Sequence, residues 1–270
     1  MGYKTKEGVM DRVMDHHLIA QELGHEVVGT FLQGSWNYGD GVSDEESDVD
    51  TKCLVIPSFN DFCLNKKPVS YTHITDNDEH IDIKDLRLYV ECFKKQNVNF
   101  VEILFTEYFV INPKYASAFN KLLENRERIG HYNNYATLNC IAGMAMEKNK
   151  ALCHPYPSIA DKIEKYGYDG KQISHIYRLE EFMNKWIAEV SYEECLKSDI
   201  GNFIKKVKRN QELTLEEAVQ KSQELSDRIY ATKTKYMKEN ELRVDHELDE
   251  IFNQVIVEIM KKHFKEEVNS

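Results

Sequence analysis

Two aspartates, Asp48 and Asp50, stand one residue apart in "SDVDTK", at the entrance to the apolar run "CLVI". Alternation along a strand turns both carboxylates to one face and Val49 to the other. Two carboxylates projecting together repel, and a cation between them relieves the repulsion. Mg²⁺ suits the task, with Mn²⁺ as a substitute, because a hard ion takes one or two carboxylates plus waters and substrate phosphates. Two such ions, about 3.5–4 Å apart, can activate an attacking hydroxyl and stabilise a leaving pyrophosphate. Upstream, Gly34 and Ser35 follow another apolar run, "EVVGTFLQ". Glycine lets the backbone come close to a ligand, and serine adds a hydroxyl and an N–H. A short helix starting there would offer free N–H groups to a triphosphate. The polar linker between the two motifs then brings phosphate-gripping and metal-gripping groups together.

A third carboxylate is expected from a neighbouring strand. "EHIDIK" (79–84) alternates strictly, so Asp82 faces away from Ile81 and Ile83, with Asp85 and Glu79 as further candidates. Lys52, directly after the acids, is read as pointing opposite Asp50. Further on, Lys171, His175 and Arg178 are spaced by four and three, which puts them on one helix face. Cations gathered there would hold a triphosphate or a base; a basic surface helix tempered by Glu180 and Glu181 is the plainer alternative. Tyr38 either stacks on a base or packs under the loop. Glu102 reads as structural, bonding a backbone group or an arginine. His16 and His17 read as surface or satisfied core residues. "DEESDVD" lacks the glycine and the glutamate that a calcium loop needs, and no phosphate-binding glycine motif of the P-loop or dinucleotide type occurs.

The elements that must position these residues are legible in outline. Residues 6–23 have helical spacing closed by Gly24, 26–33 and 49–57 read as strands, and 85–96 reads as a helix with Asp85 as its N-cap. The segment 100–105 fits either a strand or a helix start. From about residue 114 the pattern is helical, over 114–127, 132–148, 171–189, 199–209, 214–235 and 243–264, with "PYPS" and "YGYDG" as breaks. Five prolines and twelve glycines among 270 residues suit a helix-rich chain rather than an all-β one. A net charge of −11 does not advertise a dedicated nucleic-acid surface, although "KKVKR" at 205–209 could line a local groove. The six cysteines show no metal-type spacing and read as reduced thiols. No run is apolar enough for a signal core or a membrane span. Gly2 is followed by Lys at the sixth position, where a myristoylation signal takes Ser or Thr. A cytoplasmic protein without membrane anchoring is expected.

The motif "GSWNYGDGVSDEESDVD" resembles the DNA polymerase β-type nucleotidyltransferase superfamily, whose signature is Gly-Ser, a variable gap, Asp-x-Asp and a third acid on a later strand. It resembles more narrowly the bacterial and phage nucleotidyltransferases associated with RNA repair, which run Gly-Ser, Tyr-Gly, Ser-Asp-x-Asp. "NVNFVEILF" (97–105) is similar to that family's segment ending in Glu-x-Leu, and "YGYDGKQISHIYRLEEF" (166–182) to its Lys-x-x-x-His-x-x-Arg-Leu helix. Trp36 and Asn37 depart from the pattern, since many relatives carry a basic residue there. The resemblance implies an α+β fold: a minimal nucleotidyltransferase unit over 1–113, with a mixed, mostly antiparallel sheet and helices on one side, then an all-helical half over 114–270 that completes the nucleotide cleft. It implies transfer of a nucleoside monophosphate from an NTP, ATP among them, to an acceptor hydroxyl. That acceptor would be an RNA end or, in antitoxin-like members, a protein. Asp48, Asp50 and Asp82 would be catalytic and metal-binding, and Gly34, Ser35, Tyr38, Lys171, His175 and Arg178 would bind the nucleotide. The remaining reading is a non-catalytic nucleotide-binding partner.

Overall fold

The computed structural model describes residues 6–39, 42–43 and 47–269. The expectation on Gly2 and the first acids of the linker, Asp44–Glu46, lie outside them. In chain order the elements begin with α1 (Lys6–Glu22), β1 (Glu26–Gln33), β2 (Asp50–Ile56), α2 (Phe59–Cys63), β3 (Ser70–Ile74) and β4 (His80–Asp85). Then come α3 (Leu86–Lys94), α4 (Val98–Val101), β5 (Phe109–Ile111), α5 (Ala116–Glu124) and α6 (Arg126–Gly130). The remainder is helical: α7 (Asn134–Ala151), α8 (Ala160–Tyr166), α9 (Gly170–Ile187), α10 (Tyr192–Leu196), α11 (Gly201–Lys208), α12 (Leu215–Glu239) and α13 (Glu247–Asn269). The protein is α+β, with a five-stranded sheet ordered β3-β4-β2-β1-β5 and a helical C-terminal half. Only the β2–β4 pairing is parallel; β1 runs antiparallel to β2 and β5, and β3 antiparallel to β4.

The expectation of helices on one side of the sheet is corrected: both faces are covered. Along β1 and β2 nearly every residue is buried, so neither strand offers a polar face to water. On one face α1 packs Ala20 against Val27, Cys53, Val55, Ile81 and Ile83, and Val9 and Val13 against Leu32 and Val49. The polar groups that α1 buries are matched. His16 Nδ1 lies 2.9 Å from Thr51 Oγ1 and its Nε2 3.1 Å from Glu79 Oε2, while Arg12 also pairs with Glu79. On the opposite face the ring of Phe31 packs, tilted by 30°, against Phe119 of α5, and Phe100 of α4 lies beneath Lys52 and Lys84. Asp85 caps α3 as expected, accepting from the Arg87 N–H at 2.9 Å.

By contact the chain divides elsewhere than after residue 113. One compact unit holds the described parts of Met1–Asn37, Asp44–Tyr132 and Asp245–Ser270; the other holds those of Tyr38–Ser43 and Asn133–Val244. The first unit keeps α5 and α13 because they finish its core: Phe93 of α3 stacks on Phe252 of α13, and Tyr132 meets the same ring edge-on. The second unit is α7 to α12 with the short segment that carries Tyr38. Its Tyr38 and Val42 bury against Ile204, with Tyr177 and Phe203 alongside.

Candidate active site

The acids lie in the first unit. Gln33 at the end of β1 pairs with Asp50 at the start of β2, so Gly34–Ser35 and the two aspartates sit at one end of the sheet. Gly34 has φ +91°, a left-handed backbone that favours glycine, and a Cβ there would meet nothing within 4 Å. Its N–H donates to Glu102 Oε1 at 3.1 Å, so Glu102, almost wholly buried, does bond a backbone group. That bond takes the Gly34 N–H away from any phosphate. Ser35 opens a turn of 3₁₀ helix, Ser35–Asn37, in which no residue is fully buried. Trp36 packs against Val9, Val13, Leu32 and Val49, which holds the turn to the sheet.

Asp48 precedes the strand and is exposed, whereas Asp50 begins β2 and is half-buried. One Asp50 oxygen, Oδ1, accepts from the His80 N–H at 2.9 Å and stands 3.2 Å from His80 Nδ1. Asp82 shares Asp50's sheet face, as expected, but it is engaged: Lys52 Nζ donates to its Oδ2 at 3.0 Å, and Lys84 Nζ lies 3.9 Å from the same oxygen. The reading of Lys52 as pointing opposite Asp50 is corrected. Residues two apart on a strand share a face, and register places Lys52 directly beside Asp82. The further candidates for a third acid are spent elsewhere. Glu79 faces α1 and binds Arg12 and His16, and Asp85 caps α3 and pairs with Arg87 at 2.6 Å. Among the described residues no three His, Cys, Asp or Glu side chains stand close enough together to hold a metal ion. Asp48 and Asp50 fit the modest demand of a Mg²⁺ that arrives on a triphosphate, which needs only one or two carboxylates. The two-ion, three-carboxylate arrangement does not fit, since an ammonium already neutralises Asp82.

The cations lie in the second unit. Asp169 caps α9, accepting from the Lys171 N–H at 3.1 Å, and so fixes where the helix starts. The pKa of His175 is held well below 6.5, by burial first and then by Arg178, Lys171, Lys148 and Lys208. Three helices, α7, α9 and α11, thus gather cations around a neutral imidazole. Glu180 and Glu181 do not offset them. Glu180 binds Arg228 of α12, and Glu181 accepts from Ser198 Oγ and the Asp199 N–H. Tyr38 is buried, with the Arg178 guanidinium 3.1 Å from its ring centroid. Of the two readings of Tyr38, its burial favours packing: Arg178 covers a ring face, and Val42 and Ile204 pack in the same cluster.

Sequence reasoning gave no site role to His80, Lys84 or Lys148, and it weighed Lys52 and, within "KKVKR", Lys208 without joining either to the site residues. Strict alternation could have joined His80, Lys52 and Lys84, since they share the face of Asp50 and Asp82; Lys148 and Lys208 are joined to His175 only by helix packing. No known protein-family model matches the chain, and no curated protein matches its sequence. Among the described residues no helix is long and apolar enough to cross a membrane.

Proposed function

We propose that the protein is a metal-dependent nucleotidyltransferase with a polymerase β-like catalytic unit, moving a nucleoside monophosphate from an NTP to an acceptor hydroxyl. The observation that supports it best is the shared sheet end. The left-handed Gly34 corner and Ser35 leave β1 where Asp50 enters β2 beside Gln33. Asp48 and Asp50 hold the Mg²⁺ of a Mg²⁺–NTP, which supplies charge neutralisation around the α-phosphorus. The Ser35 hydroxyl donates to phosphate oxygens, and the cations about His175 give the second unit its affinity for phosphate. An acceptor hydroxyl oxygen bonds to the α-phosphorus, the bond to the β-phosphate oxygen breaks, pyrophosphate leaves and the hydroxyl proton passes to solvent. Alignment and charge neutralisation carry most of such a reaction.

The acceptor proposed first is an RNA end, on the motif resemblance. The net charge of −11 favours a second reading, a protein hydroxyl, because tight RNA binding draws mainly on neutralised phosphates. The test offers four α-³²P-labelled NTPs, one at a time, with Mg²⁺ or Mn²⁺, to an RNA pool with 3′-hydroxyl ends and to a cell lysate. The Asp48→Asn/Asp50→Asn variant runs beside wild type. Label entering RNA or protein only with wild type supports transfer and names both nucleotide and acceptor class. Nucleotide bound without any transfer replaces the enzyme with a nucleotide-binding partner protein.

A further inference from the structure

The surroundings of Asp82 bear on how many ions the site takes. Lys52 and Asp82 occupy paired positions of the parallel strands β2 and β4. The Lys52 side chain is only 5% exposed, so its ammonium is held beside Asp82 and largely out of bulk water. It lies 3.0 Å from Asp82 Oδ2 and 4.1 Å from the centre of the Phe100 ring. Lys84 approaches the same carboxylate at 3.9 Å and the same ring at 4.4 Å. An aromatic face attracts an ammonium, so Phe100 holds both cations against the acid. A dication brought to Asp82 would meet two ammonium groups at close range, and like charges repel most strongly where water is thin. Among the described residues no ammonium guards Asp48 or Asp50; Asp50 Oδ1 accepts from the His80 N–H and stands 3.2 Å from His80 Nδ1.

We propose that the Lys52 ammonium stands where a second ion would, so that the site takes one divalent ion per chain, on Asp48 and Asp50. Asp82 then acts as a positioning residue: it anchors Lys52 and ligates no metal. The inference rests on the nucleotidyl-transfer reading and changes its metal count from two to one. Lys52 is part of the same strand as Asp50, two residues on, so the fixed cation is built into the strand that carries the ion.

The experiment counts bound Mn²⁺ per chain by equilibrium dialysis with EPR detection. It uses the full chain and the α,β-methylene analogues of ATP, CTP, GTP and UTP in turn. Wild type should bind one analogue-dependent ion. Lys52→Met, close in size and uncharged, should bind two, because the ammonium bonded to Asp82 is gone and that of Lys84, at 3.9 Å, is not hydrogen-bonded to it. Lys52→Arg should stay at one, and Lys52→Met with Asp82→Asn should return to one. Asp82→Asn alone keeps the proposal testable if Lys52→Met fails to fold: it should still bind one ion, and loss of that ion overturns the assignment. Two ions in wild type overturn the inference and leave nucleotidyl transfer standing, as does a Lys52→Met variant that folds and still binds one. No analogue-dependent ion in any protein overturns the inference and the functional reading together.

Discussion

Gly34 illustrates what single residues do here. Its φ of +91° is open to glycine at little cost, and nothing crowds the place a Cβ would take, so the residue is there for the corner it turns. Gly34→Ala should lower the unfolding free energy by about 1 kcal/mol through backbone strain, read from urea titration. Asp48→Asn with Asp50→Asn should abolish transfer yet keep the fold. Asn keeps an oxygen for the His80 N–H, and the change removes a repelling pair; an unfolded variant would contradict a metal-site role. His16 makes a prediction in pH. Burial lowers its pKa from 6.5, against the opposing pull of Glu79, so the folded chain favours the neutral ring. The unfolded chain then binds the proton more readily. The stabilisation is therefore complete above pH 6.5 and is lost as pH falls through the lower folded value. Melting temperature should drop as pH falls below 6.5, and His16→Gln should flatten that slope. Carboxylates with lowered pKa, such as Glu26, should add a separate loss only below about pH 4.5.

At the scale of elements, α9 carries the argument. Its cation face was written in "GKQISHIYRLEE", because helical spacing separates Lys171, His175 and Arg178 from Glu180, whereas its N-cap, Asp169, was read only as part of a break. Spacing alone did not say that Arg228 and Ser198 would draw the acids off, which leaves the cation face uncompensated by them. Lys171→Ala should weaken NTP binding about tenfold, or ~1.4 kcal/mol, by fluorescence titration of a labelled nucleotide. Unchanged affinity would return α9 to an ordinary surface role. The strands divide in the same way. β1, β2 and β4 were legible because their apolar residues are dense or alternate. β3, "SYTHI", is an exposed edge strand that pairs only with β4, and β5 has three half-buried residues; pairing rather than pattern makes each a strand.

At the scale of the whole molecule, the contact division runs across a cut after residue 113. A fragment of residues 1–113 keeps every strand but loses Phe119 of α5 and Phe252 of α13, which pack on Phe31 and Phe93. Losing two buried aromatic rings costs several kcal/mol, comparable to a domain's entire stability. The fragment should be unfolded or aggregated, as read by the dispersion of its amide NMR spectrum. Residues 1–132 joined to 245–270 by a short linker should fold, and a well-dispersed 1–113 fragment would refute the division.

By itself the sequence determined the chemistry-bearing types and their local placement. Gly-Ser at a strand end, Asp-x-Asp entering the next strand, an alternating third acid and a cation-faced helix all follow from periods of two and 3.6 residues. Those periods are properties of the backbone and need no tertiary contact. Only the tertiary structure decided how each charge is spent. It gave Asp82 to Lys52, Glu79 to Arg12 and His16, the Gly34 N–H to Glu102, and Tyr38 to the underside of Arg178. These partners are separated by up to 140 residues in the chain (178 − 38) and meet because strand register and helix packing bring them within a few ångströms. Electrostatic pairing depends on that final distance, which no local pattern encodes.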